Sequence, residues 1–256
     1  MSILEIALVP CLKDNYAYLL RDAATGATAV VDPSEAEPVM AALAARGWTL
    51  THILNTHHHR DHTGGNPALK AATGAVVVGP KADKERIPNI DVAVDDGESW
   101  RLGEAEARII FIPGHTRGHI AFWFPESQAV FCGDTLFAIG CGRMFEGTAP
   151  QMWSSLGRLK ALPPETRVFC GHEYTQANAR FALTVEPGNA ALKARAAAVD
   201  AARAKGRPTI PSTIGEERAT NPFFRADERS IADTIGLAGA DAVAVFAEVR
   251  RRKDNF

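Results

Sequence analysis

The chain has 256 residues, 46% of them hydrophobic and 23% charged, enough to bury the core of one large domain with an appendage. Its 28 Lys+Arg nearly balance 30 Asp+Glu, which excludes a global field that would recruit nucleic acid or a membrane surface. No apolar run approaches the ~18 residues of a transmembrane span, and residues 1–10 lack the basic start and apolar run of a signal peptide.

Short β-rich runs recur between turn signals, and their patterning predicts strands over residues 3–9, 16–20, 28–31, 51–54, 75–78, 107–112, 119–124, 129–132 and 167–170. Helices interrupt them. One runs from a Ser34 cap to Arg46 and ends at Gly47, one covers residues 63–72, and one covers 151–162 before Pro163-Pro164 stops it. Many strands with few helices imply two sheets covered outside by helices. After Tyr174 the strand-like runs cease. An Ala-rich helix is expected over residues 190–205 behind Asn189, a loop with Pro208, Pro211 and Pro222 follows, and helical pattern returns over 227–236 and 241–253. The division expected is a catalytic domain over residues 1–173 and a helical substrate-binding domain over 174–256.

Four potential ligands fall within six positions in His57-His58-His59-Arg60-Asp61-His62, a pattern whose chance occurrence is on the order of 10⁻³ or less with 8 His in the chain. Residues two apart in extended backbone project to one side, so His57 and His59 can grip one metal while His58 points away. Asp61 and His62 come from the following turn, where Gly64-Gly65 lets the backbone approach closely. Downstream, His115, Asp134 and His172 sit at element ends. Val130-Phe131-Cys132-Gly133-Asp134 and Val168-Phe169-Cys170-Gly171-His172 echo each other, each a strand ending in Cys-Gly and a polar side chain. Together these residues make two sites: His57, His59 and His115 for one metal, Asp61, His62 and His172 for the other, with Asp134 bridging. A water between two such ions becomes hydroxide near neutral pH, which is hydrolytic chemistry with Asp61 and Asp134 as the catalytic carboxylates. His52 and His58 read as structural or surface residues, and His119 as a strand-start packing residue or a support to a ligand, not a ligand itself. Cys11, Cys132, Cys141 and Cys170 show no C-x-x-C spacing and read as reduced thiols of a cytoplasmic protein, with Cys141 and Cys170 buried and inert.

These residues resemble the metallo-β-lactamase superfamily. The further motifs are similar to its glyoxalase II branch, the hydroxyacylglutathione hydrolases: Asp14-Asn15-Tyr16, residues 55–66, Gly140-Cys141-Gly142-Arg143, Phe145-Glu146-Gly147-Thr148, Gly171-His172-Glu173-Tyr174-Thr175, Asn221-Pro222-Phe223-Phe224-Arg225 and residues 250–256. The resemblance implies an α/β protein, a four-layer αββα sandwich followed by a smaller C-terminal helical domain. It implies two divalent metal ions per chain, zinc with iron or manganese as alternatives, and hydrolysis of S-D-lactoylglutathione to D-lactate and glutathione, the second step of methylglyoxal detoxification. It also implies that Arg143, His172, Glu173, Tyr174, Arg250 and Lys253 meet the glutathione moiety. Phe145 departs from the Tyr of some members, and Arg143 replaces a Lys. Taken alone, Arg250 to Lys253 reads as a solvated helix end stabilised by the helix dipole.

The partner expected is thus a small-molecule thioester, with no nucleic acid, no membrane and a monomeric chain. Three rivals share the metal core. One is another hydrolase of the fold, such as a lactonase or β-lactamase. Another is a mononuclear-iron dioxygenase acting on glutathione persulfide, and the third is a metal-stabilised binding protein with an idle site. Oxygen dependence and thioester turnover discriminate them.

Overall fold

The computed structural model describes residues 3–256, so Met1 and Ser2, the first positions of the signal-peptide reading, lie outside the described residues. The chain forms two compact units, one running through Phe111 together with Arg117–Gly133, the other comprising Ile112–Thr116 and Asp134–Phe256.

In the first unit, β1 (Leu4–Cys11) and β2 (Asn15–Asp22) form an antiparallel hairpin in register from Leu4 opposite Asp22 to Cys11 opposite Asn15. Strand β3 (Thr28–Val31) joins it antiparallel, and β4 (His52–Leu54), β5 (Val76–Pro80) and β6 (Val92–Val94) then add in parallel. The change of direction follows from the connections. Short turns suffice for the first three strands. The parallel pairs need crossovers, supplied by α1 (Ala36–Arg46) for β3–β4 and by α2 (Arg60–Thr63) with α3 (Asn66–Thr73) for β4–β5, while residues 81–91 link β5 to β6. Leu19, Val30, Ile53 and Val77 pack on Val39, Leu43 and Leu69 of these helices.

The opposite face of this sheet meets a second one, the antiparallel meander β7 (Ser99–Leu102), β8 (Ala105–Phe111), β9 (Ile120–Phe124) and β10 (Ala129–Gly133). Tyr18 packs on Phe131 with ring centroids 5.6 Å apart, and Phe131 on Phe124 at 6.1 Å. The first sheet therefore has both faces covered, which explains why its central strands are continuous apolar runs without alternation. Strands β6 and β7 escape sequence reading because each buries one residue, Val94 and Leu102. Helix α1 also differs from expectation at its start: Glu35, not Ser34, holds the cap position, and Ser34 Oγ donates to the Asp61 carbonyl instead.

The second unit opens with the small hairpin β11 (Leu136–Phe137) and β12 (Gly140–Cys141). Helix α4 (Ala149–Lys160) follows, its start fixed by Gln151 Oε1 accepting from Thr148 N at 3.0 Å. Then come β13 (Arg167–Cys170), α5 (Thr175–Val185), α6 (Ala190–Arg203), β14 (Ser212–Thr213), α7 (Ile214–Thr220), α8 (Arg229–Thr234) and α9 (Ala242–Asp254). Asn189 caps α6 as its sequence predicts, accepting from Leu192 N at 3.0 Å.

Helices α5 and α7 are additions to the expected elements. Thr213 and Glu216 form a reciprocal capping box at the start of α7, a signal present in the sequence but overshadowed by the surrounding prolines. The Asn221 motif is a structural hub. Its Nδ2 donates to the carbonyls of Phe137 and Gly140 and to Glu217 Oε2, tying the β11–β12 hairpin to α7. Among the described residues no helix is long and apolar enough to cross a membrane.

Candidate metal centre

In the first unit, the backbone leaving β4 delivers His57 and His59 with ring centroids 4.8 Å apart, and α2 brings the His62 ring to 4.2 Å from His57. Asp61 Oδ2 stands 3.5 Å from His62 Nε2. Asn15 Nδ2 donates to both Asp61 Oδ2 and its carbonyl at 3.1 Å, and Ser34 holds the same carbonyl, so this carboxylate is aimed by two neighbours. The close approach depends on Gly64 and Gly65. A Cβ on Gly64 would lie 2.6 Å from the Ser34 carbonyl oxygen, and one on Gly65 2.9 Å from that of Pro33.

Asp32, which sequence reasoning missed, organises this cluster. It leaves β3 at φ +49°, is 3% exposed, and accepts from Thr56 N at 2.8 Å, Thr56 Oγ1 at 2.6 Å and His62 Nδ1 at 3.2 Å. Because Thr56 Oγ1 gives its proton to Asp32, it accepts from His57 Nδ1 at 3.0 Å. One buried carboxylate thus sets the tautomers of two histidines. Asp32, His57 and His62 lie close enough together to suggest a ligand trio, but the Asp32 oxygens are already committed to orienting the rings. The available signal was an Asp-Pro directly after a buried apolar strand. His58 turns away to Asp83, His119 stacks on His57 at 4.5 Å and 17°, and His52 packs edge-on against Trp100, as their sequence contexts imply.

The second unit presents three donors of its own. Asp134 Oδ2 lies 3.5 Å from His115 Nε2 and 3.3 Å from His172 Nε2, so one carboxylate oxygen faces both imidazoles. His115 Nδ1 donates to the Arg143 carbonyl at 2.8 Å. Gly142 makes room for this arrangement, since a Cβ there would sit 1.9 Å from the Asp134 carbonyl oxygen. Tyr174 stacks on His172 at 4.6 Å and 5°, and the exposed Phe145 ring stands edge-on to His115. Burial pushes the Cys141 thiol up to about 11 and that of Cys170 up to about 12, leaving both inert.

A cationic cluster closes the same unit. Arg250 is buried, not a solvated helix end: it donates to the Cys141 carbonyl at 2.8 Å, pairs with Asp254 at 2.9 Å and stacks over Phe223. Arg143 Nε reaches the same Asp254 at 3.4 Å. Lys253 donates to the Ala177 carbonyl at 3.1 Å and lies over Phe181 and Phe256. Burial, reinforced by Arg250, Arg180 and Arg143, pulls its ammonium down to about 8. Glu173 is turned elsewhere, accepting from Thr209 N and Oγ1 at 2.8 and 2.6 Å with Arg203 at 3.6 Å.

Residues 13–172 match the metallo-beta-lactamase superfamily, and residues 173–256 match the hydroxyacylglutathione hydrolase C-terminus. Over 253 residues, 99% of each chain, the sequence is 62% identical to the hydroxyacylglutathione hydrolase of Methylococcus capsulatus. The chain belongs to the hydroxyacylglutathione hydrolase family. The chain shares its fold with solved structures that include ETHE1 from Myxococcus xanthus, 29% identical with a TM-score of 0.67 over 98% of both chains. TTHA1623, solved in a di-iron-bound form, is 26% identical with a TM-score of 0.62, covering 86% of this chain and 99% of its own. The mixed α/β fold with a C-terminal helical domain expected from the sequence is therefore that of the metallo-β-lactamase superfamily.

In this chain the donor chemistry suits divalent cations. His57, His62 and His115 each engage Nδ1 with a protein oxygen, the arrangement by which metal-ligating histidines offer Nε2. Asp32→Asn should consequently lower metal affinity by roughly 10–100-fold, because the amide nitrogen cannot accept from either Thr56 or His62. Chelator competition measures this directly, and affinity equal to the parent's would remove Asp32 from the role.

Proposed function

We propose that this chain hydrolyses 2-hydroxyacylglutathione thioesters, S-D-lactoylglutathione foremost, to the hydroxy acid and glutathione, the second step of methylglyoxal detoxification. The observation that carries the reading is Asp134 Oδ2 facing the Nε2 atoms of His115 and His172 together. A carboxylate so placed serves as a shared ligand. We assign His57, His59 and His115 to one cation, Asp61, His62 and His172 to the other, and Asp134 to both. Zinc is the assignment for both positions, with iron and manganese compatible with the same donors. The di-iron form of TTHA1623 supports two cations over one.

Two divalent cations held by these residues would supply a hydroxide at neutral pH and polarise the thioester carbonyl. The chain's own contribution is positional. Asn15 and Ser34 fix Asp61, Asp32 fixes His57 and His62, and Arg143 fixes His115 through its carbonyl. The leaving group makes little demand on the protein: a thiol titrates near ~8.5, so glutathione departs as thiolate without a general acid. Residues 1–173 carry this chemistry in our reading, and residues 174–256, joined by Arg143, hold the glutathione moiety. Its carboxylates are assigned to Arg143, Arg250 and Lys253, with Tyr174 beside them and Glu173 bracing the segment through Thr209. The chain is taken to act as a cytoplasmic monomer.

Lys253 gives the reading a pH signature. Its ammonium is discharged as pH rises through about 8, so KM for the thioester should climb above that pH while kcat holds. In Lys253→Met the alkaline rise in KM should vanish, and an identical pH profile for parent and variant would contradict the assignment. The same depressed value means that the unfolded state holds the extra proton between about 8 and the ordinary lysine range, so folding stability should rise across that window. The function itself is tested by offering S-D-lactoylglutathione to metal-loaded protein in the strict absence of oxygen. Stoichiometric release of D-lactate and free thiol is expected. An obligatory requirement for oxygen would instead indicate persulfide dioxygenation.

A further inference from the structure

Outside the ligand cluster, the first unit buries a further carboxylate that the proposed chemistry does not use, Asp83. Asp83 ends the single 3₁₀ turn Lys81–Asp83 that follows β5, and its side chain is wholly buried. His58 Nδ1 meets Asp83 Oδ2 at 3.1 Å, Arg86 Nη1 donates to Oδ1 at 3.1 Å, and Arg117 Nε lies 3.9 Å from Oδ1. Arg86 Nη2 also contacts His58 Nε2. Guanidinium has no acceptor, so Nε2 must receive that bond and the imidazole proton aimed at Asp83 is the one on Nδ1. The carboxylate further presses on the Gly118 backbone, where a Cβ would lie 2.3 Å from Asp83 Cγ. Gly118 is needed at that point for contact.

The two segments that Asp83 joins are the ones that set the histidine geometry. His58 stands between His57 and His59. Arg117 and Gly118 lead directly into His119, which stacks on His57. A buried ion pair is poor evidence for stability alone, since desolvation offsets most of the attraction. A network that holds two segments in one register is the better-attested use. We propose that Asp83 is a positioning residue for the metal centre, acting through His58 on the His57–His59 segment and through Arg117–Gly118 on the His119 ring that supports His57. This deepens the two-metal reading and rests on it.

The test measures chelator-driven metal loss from metal-loaded parent, Asp83→Asn, His58→Leu and His58→Asn, well below their melting temperatures. Asp83→Asn should speed metal loss and lower kcat by roughly 10–100-fold, with KM for the thioester unchanged. His58→Leu should behave the same way. His58→Asn should rescue, because its amide nitrogen sits where imidazole Nδ1 does and can still donate to Asp83. A structural role alone would lower the melting temperature of all the variants and leave metal retention at the parent's level, which would overturn the proposal. Should Asp83→Asn not fold, the His58 pair decides: equal metal loss from the Leu and Asn variants would also overturn it. A parent that retains no metal would refute the two-metal reading itself.

Discussion

Asp134→Ala should abolish turnover of the glutathione thioester, lowering kcat by on the order of 10³-fold and releasing metal in the same step. Loss of a residue that merely supports a ligand costs roughly 10–100-fold, and Asp134 stands closer to the chemistry than that. Its Oδ2 is the oxygen common to His115 and His172, and its own carbonyl is hemmed in by Gly142. Truncation leaves two imidazoles facing one another without the anion that sits beside both. Asp134→Asn separates charge from shape: it keeps the volume but removes the negative charge, so it should retain the fold and still lose metal. Full activity in either variant would remove the bridging assignment.

The second large effect lies at the other end of the substrate. Arg250→Ala combined with Lys253→Ala should raise KM for the glutathione thioester by roughly 10²-fold or more, since a hydrogen bond to a charged group contributes about 1.5–3 kcal/mol. At constant metal content kcat should fall far less, because remote carboxylate contacts are made equally in ground and transition states. Arg250 should dominate. It is buried and also holds the Cys141 carbonyl and Asp254, so its loss should lower the melting temperature as well. Arg251 is the internal control. It is exposed and occupied by Glu248 at 2.7 and 2.8 Å, so Arg251→Ala should leave KM unchanged. A double variant with the parent's KM would place the glutathione carboxylates elsewhere.

The legible parts of this chain are those where one physical pattern dominates. Four donors compressed between His57 and His62 suit a metal centre and little else, and the apolar runs at residues 28–31, 129–132 and 167–170 mark strands to within a residue. Gly64-Gly65 announces the close backbone approach that the folded chain makes there. What escapes is tertiary in origin. Asp32 looks like an ordinary turn residue after a strand until Thr56 and His62 are folded against it. Read for its dipole alone, the last helix makes Arg250 a surface cation, whereas in the fold it is buried against Cys141, more than a hundred positions away in sequence, and Phe223. Helix α7 is hidden by prolines on either side even though its capping box is written in Thr213 and Glu216.

Activity titrated against metal tests the two-metal hydrolase most directly. Metal-free protein should be supplied with increasing equivalents of zinc and assayed for S-D-lactoylglutathione hydrolysis, with bound metal counted in the same samples. Turnover should reach its plateau at two bound equivalents per chain, with D-lactate and glutathione released in equal amounts. A plateau at one equivalent, or two equivalents bound without thioester cleavage, would contradict the two-metal mechanism.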